Sequence, residues 1–160
     1  MPELREVAIH NGHPGLEFSE KQVIRCFRLL DSSEEYSIPR GELSIAFLTD
    51  EDLAGLHRVF LDDPAPTDVI TFPGSAPGDH PGGGYAGEIC ISADTAQAAS
   101  LEYSLPFHEE MTLYLIHGWL HLAGLGDKSP EDSRRMRHAE QKLLSHLREH
   151  NGIPSFTLQG

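Results

Sequence analysis

Residues 107–127 read FHEEMTLYLIHGWLHLAGLGD. From Phe107 to Ala123 apolar side chains occupy nearly every side of a 3.6-residue period. The segment therefore predicts a helix that is central and buried. Gly124 is its natural stop, because glycine accepts the left-handed conformation. Immediately downstream, Ser129, Pro130 and Asp132 combine a cap, a first-turn proline and a first-turn carboxylate, which together open a last helix. Met136, Ala139, Leu143, Leu144 and Leu147 form its apolar stripe, and Gly152 and Pro154 end it.

Upstream the period changes. Residues 4–10, 43–48, 69–72 and 88–92 are short β-type runs. Ser19 opens a helix in which Gln22 is placed to reach back to the cap, and Thr49 with Asp52 repeats that pattern before Leu53, Leu56 and Phe60. Residues 94–101 predict a further short helix. Residues 62–66 are turn-rich, and 73–85 (PGSAPGDHPGGGY) form the most Gly/Pro-rich stretch, either an idle insertion or a flap near a site. No repeat or interdomain linker is visible. The expected fold is α+β: one domain over 1–160, a small mixed four-stranded sheet packed by about five helices, with the central buried helix carrying the metal ligands. Leu113, Ile116 and Leu120 should be inaccessible, with Ile45, Ile70 and Ile89 opposite them.

Composition narrows the function. The formal net charge of −13 argues against broad nonspecific nucleic-acid binding, because phosphate contacts need Lys and Arg. Cys26 and Cys90 are far apart, lie in apolar patterns and form no CxxC motif, so they read as buried free thiols. The start, MPELREVAIH, lacks a secretory pattern, and residues 111–125 are too short and too histidine-rich to cross a bilayer. A cytoplasmic, membrane-free protein is expected.

The chemistry centres on His117 and His121. A spacing of four puts both imidazoles on one helical face, where they can share a tetrahedral metal. Ten histidines in 160 residues make such spacings common, and His146 with His150 repeats this one. That second pair lies among Arg148 and Glu149 at a fraying helix end, where histidine suits the helix dipole. The first pair sits in an apolar helix, where imidazoles without partners are costly to bury. Gly118 should leave the ligand side of the helix uncrowded, and Gly124 and Gly126 should let the chain return with Asp127. Two histidines and a carboxylate leave a fourth zinc position for water. The other reading of Asp127 is a turn residue before the next cap. Glu109 and Glu110 are either outer partners of a histidine or solvated first-turn carboxylates. Gly118 stands where HExxH metalloproteases carry their glutamate, which disfavours a protease.

With those residues in view, the chain resembles the YbeY family of endoribonucleases and rRNA maturation factors. The likeness rests on Pro66-Thr67-Asp68-Val69-Ile70-Thr71-Phe72, on Gly87-Glu88-Ile89-Cys90-Ile91-Ser92, and above all on His117-Gly118-x-Leu120-His121-Leu122-x-Gly124-x-x-Asp127. In element order it runs over residues 43–147. The resemblance implies an α+β fold, a Zn2+ ion near a cleft, cleavage of single-stranded RNA, and roles in 16S rRNA 3′-end maturation and ribosome quality control. The implied partners are rRNA and the small ribosomal subunit or its proteins. Two positions depart from the family pattern. The third ligand is usually histidine where Asp127 stands, and an arginine is usual where Leu61 stands. Arg58, one turn earlier, is either its substitute or a plain surface arginine. The leading expectation is a zinc-dependent endoribonuclease with His117, His121 and Asp127 as ligands. The alternatives are a non-catalytic ribosome-associated factor with structural zinc, and a hydrolase of small molecules or peptides. Should Asp127 stand apart from the imidazoles, His80 and Glu88 are the next candidates for third ligand.

Overall fold

The computed structural model describes residues 4–61, 69–75 and 85–159, with the backbone alone at 60, 61 and 75. In chain order the elements are β1 (Val7–Asn11), β2 (Leu16–Phe18), α1 (Glu20–Asp31), β3 (Glu42–Leu48), α2 (Asp50–Leu61), β4 (Val69–Ser75), β5 (Tyr85–Ser92), α3 (Ala93–Glu102), α4 (Phe107–Leu122), α5 (Pro130–Glu149) and β6 (Phe156–Leu158). Four strands make one sheet in the order β1-β3-β5-β4. β1, β3 and β5 run parallel and β4 antiparallel, so the sheet is mixed. The α+β expectation holds, with five helices about a four-stranded sheet among the described residues. The 62–66 turn, most of the 73–85 stretch and His80 lie outside the described residues. So does the side chain of Leu61.

Local chemistry explains most boundaries. Ser19, Thr49 and Ser129 each accept a bond from the backbone N–H three residues on, as their positions predict. The reach-back expected of Gln22 does not occur. Its Oε1 accepts from the backbone N–H of Ser155 at 2.8 Å and ties the C-terminal segment to α1. At the end of α5 the left-handed residue is Asn151, with φ 53°, rather than Gly152. Gly152 serves a close approach instead: a Cβ there would stand 2.2 Å from Leu29 Cδ1.

The sheet has two covered faces, set by the period-2 alternation of β3 and β5. Leu43, Ile45, Phe47, Ile89 and Ile91 join the main core with Met111, Leu115, Ile116, Trp119 and Leu120 of α4. Leu48, Ile70 and Cys90 pack on the other face with Leu53 of α2. Ile45, Ile70 and Ile89 are all buried as expected, but Ile70 lies under α2 and not against α4. Leu113 is only half-buried. α4 is therefore not buried all round: Leu113, Tyr114, His117 and His121 line a partly open side. Both cysteines are free and buried, and burial pushes the Cys26 thiol up to about 12. No periodicity announces β2 and β6, which pair antiparallel and bring Phe18 and Phe156 against Phe47, with ring centroids 4.8–5.5 Å apart.

α4 approaches β5 closely at two points. A Cβ on Gly118 would lie 2.6 Å from Ile89 Cγ2, and a Cβ on Gly87 would lie 2.7 Å from Leu122 Cδ2. One glycine on the helix admits an isoleucine of the strand, and one on the strand admits a leucine of the helix. Gly118 thus faces the sheet, not an incoming ligand as its place beside His117 suggested. Leu120 is fully buried between these layers. Leu120→Ala is expected to lower unfolding free energy by ~2–5 kcal/mol in urea titrations, through forfeited transfer energy plus a cavity.

Candidate metal centre

The Gly124 turn builds the site. Leu125 N–H donates to Leu120 O and Gly124 N–H to His121 O, both at 3.0 Å, while Gly124 takes φ 101°. This pairing closes the end of α4 and reverses the chain. Gly126 does not share that role. It is absent from the positive-φ glycines, and a Cβ there would meet only Asp132 Oδ2 at 3.6 Å, an ordinary contact. One left-handed glycine suffices to bring Asp127 back over the open side of α4.

There, three ligand-type atoms converge. His117 Nε2 and His121 Nε2 are 2.9 Å apart. Asp127 Oδ2 stands 3.5 Å from the first and 3.4 Å from the second. Both imidazoles are about a quarter exposed, and the carboxylate more so. Among the described residues this is the one group of three or more His, Cys, Asp or Glu side chains close enough to hold a metal ion.

The opposite ring nitrogen fixes the tautomer of His121. His121 Nδ1 lies 2.9 Å from the Leu125 carbonyl, which can only accept, so Nδ1 carries the proton. His117 Nδ1 lies 3.4 Å from Glu140 Oε2. His121 Nε2 then offers a lone pair toward His117 Nε2 and the Asp127 carboxylate. Such a set of acceptors calls for a cation among them. With these separations one point lies about 2.0–2.1 Å from all three atoms, a normal metal–ligand length for zinc. The residues therefore fit a divalent metal of borderline softness, with room for a fourth ligand.

Glu140 escapes a reading of the sequence for ligands, although it leaves a signal. It interrupts the inner flank of α5 four residues after Met136 and four before Leu144, where a carboxylate is out of place unless it has a partner. Glu109 instead pairs with Arg148 on α5. Glu110 is buried near the start of α4. Glu88 accepts from Cys90 Sγ and is outside the three-residue cluster. That hydrogen bond and, more strongly, burial raise the Cys90 pKa, so this thiol stays protonated. Arg58 is exposed on α2. His146 and His150 have ring centroids 4.6 Å apart, but His150 Nδ1 is taken up by the His146 carbonyl at 2.9 Å and no third ligand joins them among the described residues. No helix of the described residues is long and apolar enough to cross a membrane.

Known proteins are similar to this chain in sequence and in fold. The sequence profile described as Endoribonuclease YbeY matches residues 10–148. Endoribonuclease YbeY of Syntrophotalea carbinolica is 39% identical over 127 residues, covering 76% of this chain and 81% of that protein. Its namesake from Chlamydia caviae is 32% identical over 148 residues, covering 88% and 87%. In fold, the chain is similar to the solution structure of TM1509 from Thermotoga maritima, with a TM-score of 0.60, 22% identity and 90% of each chain covered.

Proposed function

The chain belongs to the endoribonuclease YbeY family, and from that premise we propose that it is a zinc-dependent endoribonuclease of the cytoplasm that cleaves single-stranded RNA in rRNA processing. The proposed tasks are 16S rRNA 3′-end maturation and ribosome quality control, in company with the small subunit or its proteins. One observation carries the reading: His117 Nε2, His121 Nε2 and Asp127 Oδ2 all face one point. These three would hold the ion, and zinc there supplies Lewis acidity toward a phosphoryl oxygen or the attacking oxygen. The protein's own contribution is orientation. Leu125 O accepts from His121 Nδ1–H, and Glu140 stands 3.4 Å from His117 Nδ1, so that both Nε2 atoms face the centre. His117 and His121 are then ligands and not proton-transfer groups.

The test joins metal content to product chemistry. Purified protein should contain about one zinc per chain and cleave a single-stranded oligoribonucleotide. A cyclic phosphate end would assign the attack to the 2′-hydroxyl, and a plain phosphate end to water. His117→Ala protein that still cleaves at the wild-type rate would sink the proposal.

Glu140 gives a finer prediction. Glu140→Ala should weaken zinc affinity by about 10–100-fold, the usual effect of losing an outer partner of a metal-bound histidine. Competition with a chromogenic chelator reads this directly, and Glu140→Gln, which keeps an acceptor oxygen, should recover part of it.

A further inference from the structure

β1 stands at the end of the strand order β1-β3-β5-β4, so one of its sides has no neighbour in the sheet. The ladder to β3 tells which backbone groups lie there. Leu43 N–H donates to Glu6 O at 3.0 Å, and Gly12 N–H donates to Phe47 O at 2.7 Å. Along a parallel pair every second residue bonds to the same neighbour, so Glu6, Ala8, His10 and Gly12 face β3. Val7, Ile9 and Asn11 turn their N–H and C=O groups to the other side. Among the described residues no hydrogen bond takes up these groups of Val7 or Ile9. Such a row of open donors and acceptors is a template for another strand.

α1 runs alongside this edge. Phe18, just before the helix, packs on Phe47, which is paired with Asn11 at the end of β1. Asp31, the last residue of the helix, accepts from Arg5 Nε at 2.6 Å, just before β1 begins. The helix is therefore antiparallel to the strand. Ala8 lies about 10 Å along the strand from Arg5, and Ile24 lies about 10 Å along the helix from Asp31. The two are level. Glu20, Ile24, Arg28 and Asp31 follow one flank of α1 at spacings of four, four and three. Ile24 is half-buried but belongs to neither core cluster, and Glu20 and Arg28 on either side of it are exposed.

We infer that β1 and this flank of α1 form a two-fold interface between two copies of the chain, which joins their sheets into one. Outward residues must meet outward residues, so the axis passes through a residue and not between two. Centred on Ala8, Val7 and the partner's Ile9 exchange backbone bonds, and Glu6 stands opposite the partner's His10. An imidazole always has an N–H to give a carboxylate, and opposed groups of this kind stabilise a strand pair. An axis at Val7 would set Glu6 against the partner's Ala8, and an axis at Ile9 would set it against the partner's Gly12. Ala8 is exposed and small, which suits the close approach on the axis. The same axis lays the two α1 flanks together, with Ile24 against its own copy and Glu20 opposite the partner's Arg28. Strand and helix are both self-complementary about one axis, as an isologous interface requires. The chain's formal charge of −13 opposes association at long range, but a Debye length of about 8 Å at physiological salt screens most of it.

Sedimentation of the full chain at physiological salt should show the mass moving from one chain toward two between about 1 and 500 μM, as a modest interface allows. Ala8→Glu sets two carboxylates across the axis, and should raise the dissociation constant by about fivefold or more with an unchanged circular dichroism spectrum. Glu20→Arg should raise it about threefold or more, since each pair occurs twice by symmetry. Adding Arg28→Glu exchanges the two charges and should restore wild-type association. Ala8→Cys tests the register. Its two Cα atoms would be ~4.5 Å apart, within reach of a disulfide, so mild oxidation should give a covalent dimer. Glu6→Cys should not, because its two copies would be ~13 Å apart. The native Cys26 and Cys90 are buried and stay out of the reaction. Wild type that remains a single chain over the whole range overturns the dimer and leaves the edge to a strand of another protein. Crosslinking of Glu6→Cys as fast as Ala8→Cys, or a charge exchange that restores nothing, overturns the proposed axis.

Discussion

His121→Ala is expected to leave the purified protein with little bound zinc and no measurable RNA cleavage. The substitution removes one of three inward-facing ligand atoms and leaves one imidazole and one carboxylate, and two protein ligands rarely hold zinc. Affinity should fall by more than about a hundredfold, beyond the range expected for an outer partner such as Glu140. The fold should persist, because His121 lies on the partly open side of α4 while Trp119 and Leu120 remain in the core. Metal analysis after dialysis against a weak chelator, with circular dichroism as the fold control, measures both. His146→Ala is the internal comparison: it has the same HxxxH spacing, no third ligand in reach among the described residues, and an expected loss of no metal. Should His121→Ala retain one zinc per chain, the three-ligand centre is wrong.

Gly118→Val should destabilise the protein by overpacking α4 against β5. The added Cβ alone would sit 2.6 Å from Ile89 Cγ2, and the valine methyl groups need further space. Ile89 is fully buried and branched at Cβ, so it cannot swing aside. Overpacking of this kind costs about 1–3 kcal/mol and more where backbone must shift. Any gain in helix propensity on replacing glycine is at most ~1 kcal/mol. A net loss above ~2 kcal/mol is expected in urea unfolding, with weakened zinc binding because the helix that shifts carries both histidines. Ile89→Ala should rescue part of the loss when combined with Gly118→Val, since it vacates the space in conflict. Additive losses in the double variant would show that the two side chains do not meet.

How far these features can be read from sequence depends on how local their causes are. Capping residues and the 3.6-residue period place α1, α4 and α5 to within a residue or two, because Ser19, Gly124 and Ser129 act on backbone groups a few positions away. The ligand pair and the return of Asp127 are legible for the same reason, as the site spans eleven residues of chain. Features that depend on distant partners are not. Glu140 is recognisable as an outlier in an apolar stripe, but only the packing of α5 on α4 names His117 as its partner. Ile70 has the right residue type for the core, yet its face of the sheet follows from the register that pairs it with Cys90 of β5. Gly118 sits next to a ligand in sequence while pointing at the sheet in space. β2 and β6 have three residues each, too few for any period to register, and they exist because Phe18 and Phe156 meet on Phe47.

The reciprocal glycine contacts between α4 and β5 set the rotational phase of the helix. The two anchored positions, Gly118 and Leu122, each follow a ligand position by one residue, so anchors and ligands alternate along the last turns. A turn of the helix by about 10° about its own axis would carry an atom ~6 Å from that axis through about 1 Å. A preorganised site tolerates only ~0.5 Å. On the proposed metal reading, metal affinity would therefore be an angular measurement of the core. Volume changes at Ile89 or Leu122 that leave the fold intact should register at the zinc before they register in the melting temperature.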